Sequence, residues 1–235
     1  MWTVVVLEFS QLWRRLGGVR GLLMLAALAA MGTLLPMRLG PALLDPVYLL
    51  AFSILAAIFS GTYAIQSWAG ADERAWLENR GDEAPPDTEV LRGKALVATV
   101  YGVASWLLIL GATLGALASK VQMVMVPPPS VLATLFVFTV AVSALGSNAA
   151  AAIAVRFESA PLARRMFRLG LFFLLVIGVL LAKGFPSLLR PLDAVESFVI
   201  AALASAVVFG FLASVAGRLV LRCLADRRIS LSITP

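Results

Sequence analysis

Residues 72–94, DERAWLENRGDEAPPDTEVLRGK, form the long charge-dense stretch of a chain that is otherwise apolar. Acidic and basic side chains alternate along it, and a Pro-Pro pair stops any helix in its middle. The pattern predicts a short amphipathic helix over residues 73–80, a break, and a second approach to the membrane at Arg92 and Lys94. The stretch carries no catalytic signature. Two interpretations stay open, a solvated cytoplasmic loop and a docking element for a soluble partner.

The composition of the chain decides its solubility class. Hydrophobic residues make up 61% of it and charged residues only 14%, with a mean hydropathy of +0.96. Soluble domains are nearer half apolar and a quarter charged, so this chain has too little polar surface to cover itself in water. It is therefore predicted to be an integral membrane protein. The net charge of +6 arises at the ends of apolar runs, which favours anionic lipid over nucleic acid as a partner.

Several kinds of chemistry are excluded by residue type. Histidine is absent and Cys223 is the single cysteine, which excludes an internal disulfide, a His-based zinc, haem or general-base site, and a Cys-cluster metal site within the chain. No catalytic, cofactor-binding or metal-ligating residue is predicted. Residues 2–19 contain charges and lack a small-residue cleavage site, unlike a cleavable signal, so the first hydrophobic span is expected to remain as an anchor.

Residues 1–20 predict an amphipathic helix that lies in the membrane interface. Polar residues recur on one side of that helix and apolar residues fill the other. The two sets are Glu8, Gln11, Arg15 and Gly18, and Val5, Phe9, Leu12, Trp13 and Leu16. An N-terminal extension of the first membrane helix is the alternative.

Six apolar spans follow, each compared with the roughly 20 residues that cross the hydrocarbon core. They cover residues 21–37, 46–68, 95–119, 130–155, 167–181 and 197–217. The predicted fold is thus an all-α integral membrane protein with six transmembrane helices. Its domains are the interfacial helix over 1–20, a transmembrane domain over 21–222 and a cytoplasmic tail over 223–235.

The distribution of basic residues predicts the orientation of the chain. Of the 19 Lys and Arg residues, all but Arg38, Lys120, Lys183 and Arg190 lie on one side of the predicted spans. The positive side of a membrane protein faces the cytoplasm. Both termini and the loop over 72–94 are therefore predicted to be cytoplasmic, in a multi-pass protein of the bacterial inner membrane.

The polar residues in the interior of the predicted spans are uncharged. The spans hold ionisable side chains only at their ends, which argues against a proton- or sodium-coupled transporter. The remaining polar side chains are interpreted mainly as helix-packing hydrogen bonds, some of which could line a translocation surface. They are Ser53, Ser60, Gln66, Tyr101, Ser105, Thr139, Ser143, Ser147 and Asn148. The pairs Gly111-x-x-x-Gly115 and Gly146-x-x-x-Ala150 predict close helix packing.

Two cytoplasmic stretches carry a family resemblance. After the second span the chain has, in order, Glu73-Arg74, Leu77-Glu78, Ala84-Pro85 and Gly93-Lys94, and residues 156–164 read RFESAPLAR. Together with an N-terminal interfacial helix and six spans, this order resembles the membrane subunit of type-2 ABC exporters. The resemblance covers nearly the whole chain. The connection over residues 184–196 is shorter than in that family, which often carries re-entrant helices there.

The resemblance implies a division of labour between subunits. The chain has no G-x-x-x-x-G-K-[ST] phosphate loop, so ATP and Mg would be bound by a separate soluble ABC ATPase, and this chain would not be an enzyme. Two permease copies, identical or homologous, would move a hydrophobic or amphiphilic substrate out of the cytoplasm or inner leaflet by alternating access. The implied ATPase-coupling residues are Glu73, Arg74, Leu77, Glu78, Arg156, Ser159 and Arg164. Those of the pathway or dimer interface are Ala26, Ala30, Thr33, Phe172 and Phe173.

Other functions stay open at this point. One is a haem-exporter-like permease of cytochrome maturation, which has a similar size and span number. A membrane enzyme acting on lipids would need clustered Asp or His at a membrane face, and the acidic residues here lie in one loop without such an arrangement. A non-transporting scaffold or regulator is a further alternative. The alanines of the first span could also pack only against helices of their own chain.

Overall fold

The computed structural model describes residues 2–16, 23, 26–34, 46–69, 85–121, 127–157, 159–184 and 195–233. Over these ranges the chain forms seven helices and no strand, which confirms the predicted all-helical class. The helices are α1 (Trp2–Leu16), α2 (26–34), α3 (Pro46–Ala69), α4 (Asp87–Val121), α5 (Pro129–Arg156), α6 (Ala160–Gly184) and α7 (Val195–Ile233).

Three stretches within the described helices are long and apolar enough to cross a membrane, Asp87–Ser119, Pro129–Arg156 and Val195–Asp226. By their length and composition they support the membrane character that the composition of the chain predicted. The complete set of six spans stays a prediction. The short loop helix over 73–80 and most of the connection over 184–196 lie outside the described residues.

Proline and capping residues determine where several helices begin. The carbonyl of Pro86 accepts hydrogen bonds from the N–H groups of Glu89 and Val90, at 2.9 and 3.1 Å. Pro129 occupies the first turn of α5, where its missing N–H costs nothing. The Ser159 hydroxyl accepts a hydrogen bond from the Leu162 N–H at 3.4 Å and caps α6. The turn residues seen in the sequence therefore act as helix starts.

Two helix bounds differ from the predicted domain limits. α4 begins at Asp87, so Gly93 and Lys94 lie within a helix that starts eight residues before the predicted span at 95. α7 continues to Ile233, beyond the predicted start of the tail at residue 223. In both cases the helix continues from an apolar stretch into a more polar one, so hydropathy alone does not mark its end.

α5 lies at the centre of the bundle, with α3 on one side and α7 on the other, and α3 also packs on α4. Glycines make these approaches close. A Cβ at Gly146 of α5 would lie 2.6 Å from the Ala57 carbonyl oxygen, and one at Gly102 of α4 would lie 2.6 Å from the Ala56 oxygen. The close packing predicted from Gly146 is confirmed. At Gly111 and Gly115 of α4 an added Cβ would meet nothing within 4 Å, so the packing predicted from that pair is wrong among the described residues of this chain.

Hydroxyl and amide groups join the central helices. Ser60 donates to the Ser143 carbonyl at 2.9 Å, Thr139 donates to the Ser53 hydroxyl at 2.8 Å, and the Asn148 amide donates to the Ala213 carbonyl at 3.0 Å. These bonds link α3 to α5 and α5 to α7. They support the interpretation of these side chains as packing groups, each contributing about 0.6 kcal/mol by analogy with other membrane proteins.

Candidate functional site

A buried ion pair joins α1 to α4. Lys94 Nζ lies 2.5 Å from Glu8 Oε1, and the two side chains are only 2% and 1% exposed. Lys94 also donates to the Ser67 carbonyl oxygen of α3 at 2.8 Å. The Tyr63 hydroxyl donates to Glu8 Oε2 at 3.0 Å. The Trp68 ring centroid lies 5.4 Å from Lys94 Nζ, within cation–π distance.

Close packing of α1 on α4 positions the two charges. A Cβ at Gly93 would fall 2.7 Å from Val4 Cγ1, so the absence of a side chain at Gly93 lets α1 approach the α4 backbone. Glu8 follows Val4 by one helical turn and therefore lies on the same face of α1. That face meets Lys94, the residue next to the glycine. Gly93 thus provides the space for α1 to approach α4, and Lys94 provides the positive charge opposite Glu8.

The surroundings of the pair are apolar. Val5, Leu12, Val90 and Val97 belong to the same buried cluster as Tyr63 and Trp68. Taking two charges out of water is costly, and their attraction offsets that cost only when further hydrogen bonds complete the geometry. Here the serine carbonyl, the tyrosine hydroxyl and the tryptophan ring supply those contacts. The arrangement therefore fixes one orientation of α1 on the bundle.

The pair lies at the base of the charged loop. Ser67 is in the last turn of α3, and Lys94 is in the second turn of α4. These helices flank the loop that follows residue 69, so the cluster ties together both ends of that loop and α1. The predicted coupling residues of the loop, Glu73, Arg74, Leu77 and Glu78, lie outside the described residues.

The faces of α1 differ from the prediction. Glu8 was assigned to a polar side and Phe9 and Trp13 to an apolar side opposite it. In the structure Glu8 is buried together with Val5 and Leu12, whereas Phe9 and Trp13 are exposed. The assignment of Glu8 to a polar side of α1 is therefore wrong. The Glu8 carboxylate can be buried because Lys94 supplies the opposite charge. Glu8 is the only acidic residue among residues 1–20, and a lone acid in a basic, apolar helix is the signal that could have indicated a buried partner.

The second predicted coupling region lies at the turn between α5 and α6. Arg156, Ser159 and Arg164 are all exposed there. Arg164 Nε donates to the Ala160 carbonyl one turn earlier at 3.3 Å, and Ser159 caps the helix. The turn therefore presents these side chains outward on a short, capped connection.

The predicted interface residues are mostly on the outside of the single chain. Ala26 and Ala30 of α2 are exposed, while Thr33 is half-buried and donates to the Ala30 carbonyl at 3.1 Å. Phe172 and Phe173 of α6 are each 60% exposed, with ring centroids 6.1 Å apart. No hydrogen bond or ring contact joins the two sets within the described ranges.

The other face of α2 contacts α4. A Cβ at Gly32 would lie 2.6 Å from Ala112 Cβ.

In the described part of the chain, no three His, Cys, Asp or Glu side chains are grouped so that they could hold a metal ion. Comparison of the sequence and structure with family models, curated proteins and solved structures finds no match.

Proposed function

We propose that this chain is the transmembrane permease subunit of an ATP-driven ABC exporter that moves a hydrophobic or amphiphilic substrate by alternating access. The observation that carries the proposal is the buried contact of Lys94 with Glu8 and the Ser67 carbonyl. It links both flanks of the charged loop, and the order of motifs in that loop resembles the exporter family. A loop anchored in this way is suited to receive a push from a soluble partner.

The proposed movement passes through close helix contacts. A displacement of the loop acts on α3 and α4 together, because Ser67 and Lys94 are bonded to each other. α1 follows through Glu8. Gly102 and Gly146 hold α4 and α5 against α3 at backbone distance, so α3, α4 and α5 respond as one block. Rigid-body movement of packed helices is a common way to carry such a displacement across a protein.

The partner in this proposal is a soluble ABC ATPase that binds ATP and Mg. Leu77 would provide an apolar anchor between Glu73 and Glu78 of the loop helix. Arg156, Ser159 and Arg164 form a second contact at the α5–α6 turn, where all three are exposed. Both contacts would lie on the cytoplasmic side together with the two termini, in a bacterial inner membrane.

The exposed half of α1 supports its placement in the membrane interface. Four large apolar residues are exposed along one stripe of the helix, Trp2, Val6, Phe9 and Trp13. Beside it lie the exposed polar residues Thr3, Ser10 and Arg14, with the exposed Leu7 next to them. A helix whose outward side divides in this way fits the boundary between acyl chains and water. Membrane lipid would cover the apolar stripe.

A second permease copy, identical or homologous, completes the proposed exporter. Most side chains over residues 160–173 of α6 are exposed, including Phe172 and Phe173, and α2 leaves Ala26 and Ala30 exposed. Small residues let a neighbouring helix approach closely. Two chains facing each other would enclose a pathway that one chain leaves open.

Co-purification tests the proposal. The tagged chain, isolated in mild detergent, is expected to bring down a protein that contains a phosphate loop and hydrolyses ATP. Leu77→Asp should abolish that association. The control Ser119→Asp introduces the same charge at an exposed position near the opposite end of α4 and should leave it intact. Isolation of the chain without any ATP-binding subunit would favour a scaffold or regulator instead.

A further inference from the structure

Phe167 packs α6 against α3. Phe167 lies against Gly61 of α3 so closely that a Cβ at Gly61 would overlap the ring. Ala163, one turn earlier on the same face, is fully buried. These contacts turn one face of α6 toward α3 and determine which side chains point outward.

Two different stripes share the outward side of α6. One contains Arg164, Arg165 and Arg168, all exposed. The other contains apolar side chains that are also exposed, Leu162, Met166 and Leu169. At about 100° per residue, the arginines cover roughly a quarter of the helix circumference and the apolar stripe lies next to them. α6 has no Asp or Glu along its length, so its own helix offers the arginines no counter-charge.

We propose that this surface of α6, through Arg165, Arg168 and the apolar stripe, binds an anionic phospholipid of the adjoining leaflet. The guanidinium groups would hold the phosphate, for which arginine offers paired N–H donors. The apolar stripe would contact the start of the acyl chains.

Charge and polarity favour lipid over other occupants. A second copy related by a two-fold axis through this surface would place arginines against arginines, which is unfavourable. An acidic soluble partner at the α5–α6 turn would contact Arg156 and Arg164, one turn short of Arg168 and Leu169, and a zwitterionic lipid would leave Arg165 and Arg168 without a net counter-charge. An anionic lipid satisfies both stripes. This inference goes beyond the proposed export function and does not rest on it.

Native mass spectrometry of the purified chain, without any partner, tests the site. The chain is titrated in detergent with phosphatidylglycerol and, separately, with phosphatidylcholine. The wild type is expected to prefer phosphatidylglycerol. Arg165→Gln with Arg168→Gln should weaken that binding by about thirtyfold, the effect of removing two surface cations. Arg164 is left unchanged, because it bonds to Ala160 and belongs to the proposed coupling contact.

Arg218→Gln with Arg222→Gln on α7 provides the matched control, since both arginines are exposed and the loss of charge is the same. It should keep the lipid preference. Salt should weaken phosphatidylglycerol binding to the wild type, because dissolved ions screen the attraction between the arginines and the lipid phosphate.

Four outcomes would overturn the proposal. The first is equal binding of the two lipids by the wild type. The second is equal loss in the α6 and α7 variants, or no loss in either. The third is displacement of phosphatidylglycerol by glycerol phosphate at equal concentration, which would indicate a site for free phosphate. A cysteine at Leu169 that cross-links to a second copy in membranes would likewise assign the surface to subunit contact.

Discussion

Lys94 Nζ lies 2.5 Å from Glu8 Oε1 in a place where neither side chain is more than 2% exposed. Removing one partner leaves the other charge buried without compensation. Glu8→Gln and Lys94→Met are each expected to lower the free energy of unfolding by about 3–5 kcal/mol. The double variant Glu8→Leu with Lys94→Met should recover most of that loss, because it buries no charge.

Chemical unfolding in detergent, followed by helical circular dichroism, measures these changes. Glu196→Gln is the control, since Glu196 is exposed at the start of α7 and its substitution should stay within about 0.5 kcal/mol. Single variants as stable as this control would show that the pair does not hold α1 on the bundle.

Glycine substitutions separate tight from open helix faces. Gly102→Ala and Gly146→Ala should each destabilise the bundle by about 1–3 kcal/mol, because the new methyl group meets a backbone carbonyl of α3. Gly111→Ala and Gly115→Ala meet open space and should be neutral or slightly stabilising through helix propensity. The thermal stability of the four purified variants tests the expected difference between the two pairs. The expectation fails if the two pairs lose stability equally.

The sequence predicted the helical class and much of the packing chemistry. The apolar composition required membrane helices, Pro85-Pro86 was predicted to interrupt any helix in the charged stretch, and the hydroxyls of Ser60 and Thr139 bond between helices as expected. These features depend on short stretches of sequence or on the apolar composition that a membrane requires. They can therefore be read without knowing which helices meet.

Tertiary contacts account for what the sequence did not predict. Glu8 was assigned to a polar face because periodicity cannot show that Lys94, 86 residues away, supplies a counter-charge. Gly111 and Gly146 belong to similar motifs, yet only Gly146 meets a neighbouring helix in the described chain. Whether a glycine meets a neighbouring helix depends on the rotation of its own helix about the helix axis. That rotation is determined by contacts between residues far apart in sequence, such as Gly61 with Phe167.

Cross-linking tests the proposed dimer. Cysteines at Ala26, Ala30 and Thr33 in a Cys223→Ala background are expected to form disulfides between subunits in membranes, because Ala26 and Ala30 are exposed and Thr33 is half-buried. A cysteine at Leu28, which is 3% exposed, serves as the control and should not cross-link. Absence of every cross-link in an intact ATPase complex would remove this interface from consideration.

Thiol labelling in intact cells tests the orientation. With Cys223 replaced, cysteines at Asn79 and Ser159 should be protected from an impermeant reagent, and one at Pro128 should react. The basic flanks of the predicted spans require this pattern. Reaction of Asn79 from outside would reverse the orientation and exclude the loop as a docking element for a cytoplasmic ATPase.

The central claim is that the charged loop couples this chain to an ATPase. The most direct test measures ATP hydrolysis by the ATPase subunit in proteoliposomes of equal protein content. Three samples are compared: the subunit alone, the subunit with the wild-type chain, and the subunit with the Leu77→Asp chain. The wild-type chain is predicted to bind the subunit and change its hydrolysis rate severalfold, whereas Leu77→Asp inserts normally and leaves the rate at that of the subunit alone. Equal rates in all three samples, or a Leu77→Asp chain that acts like the wild type, would contradict the coupling role of the loop.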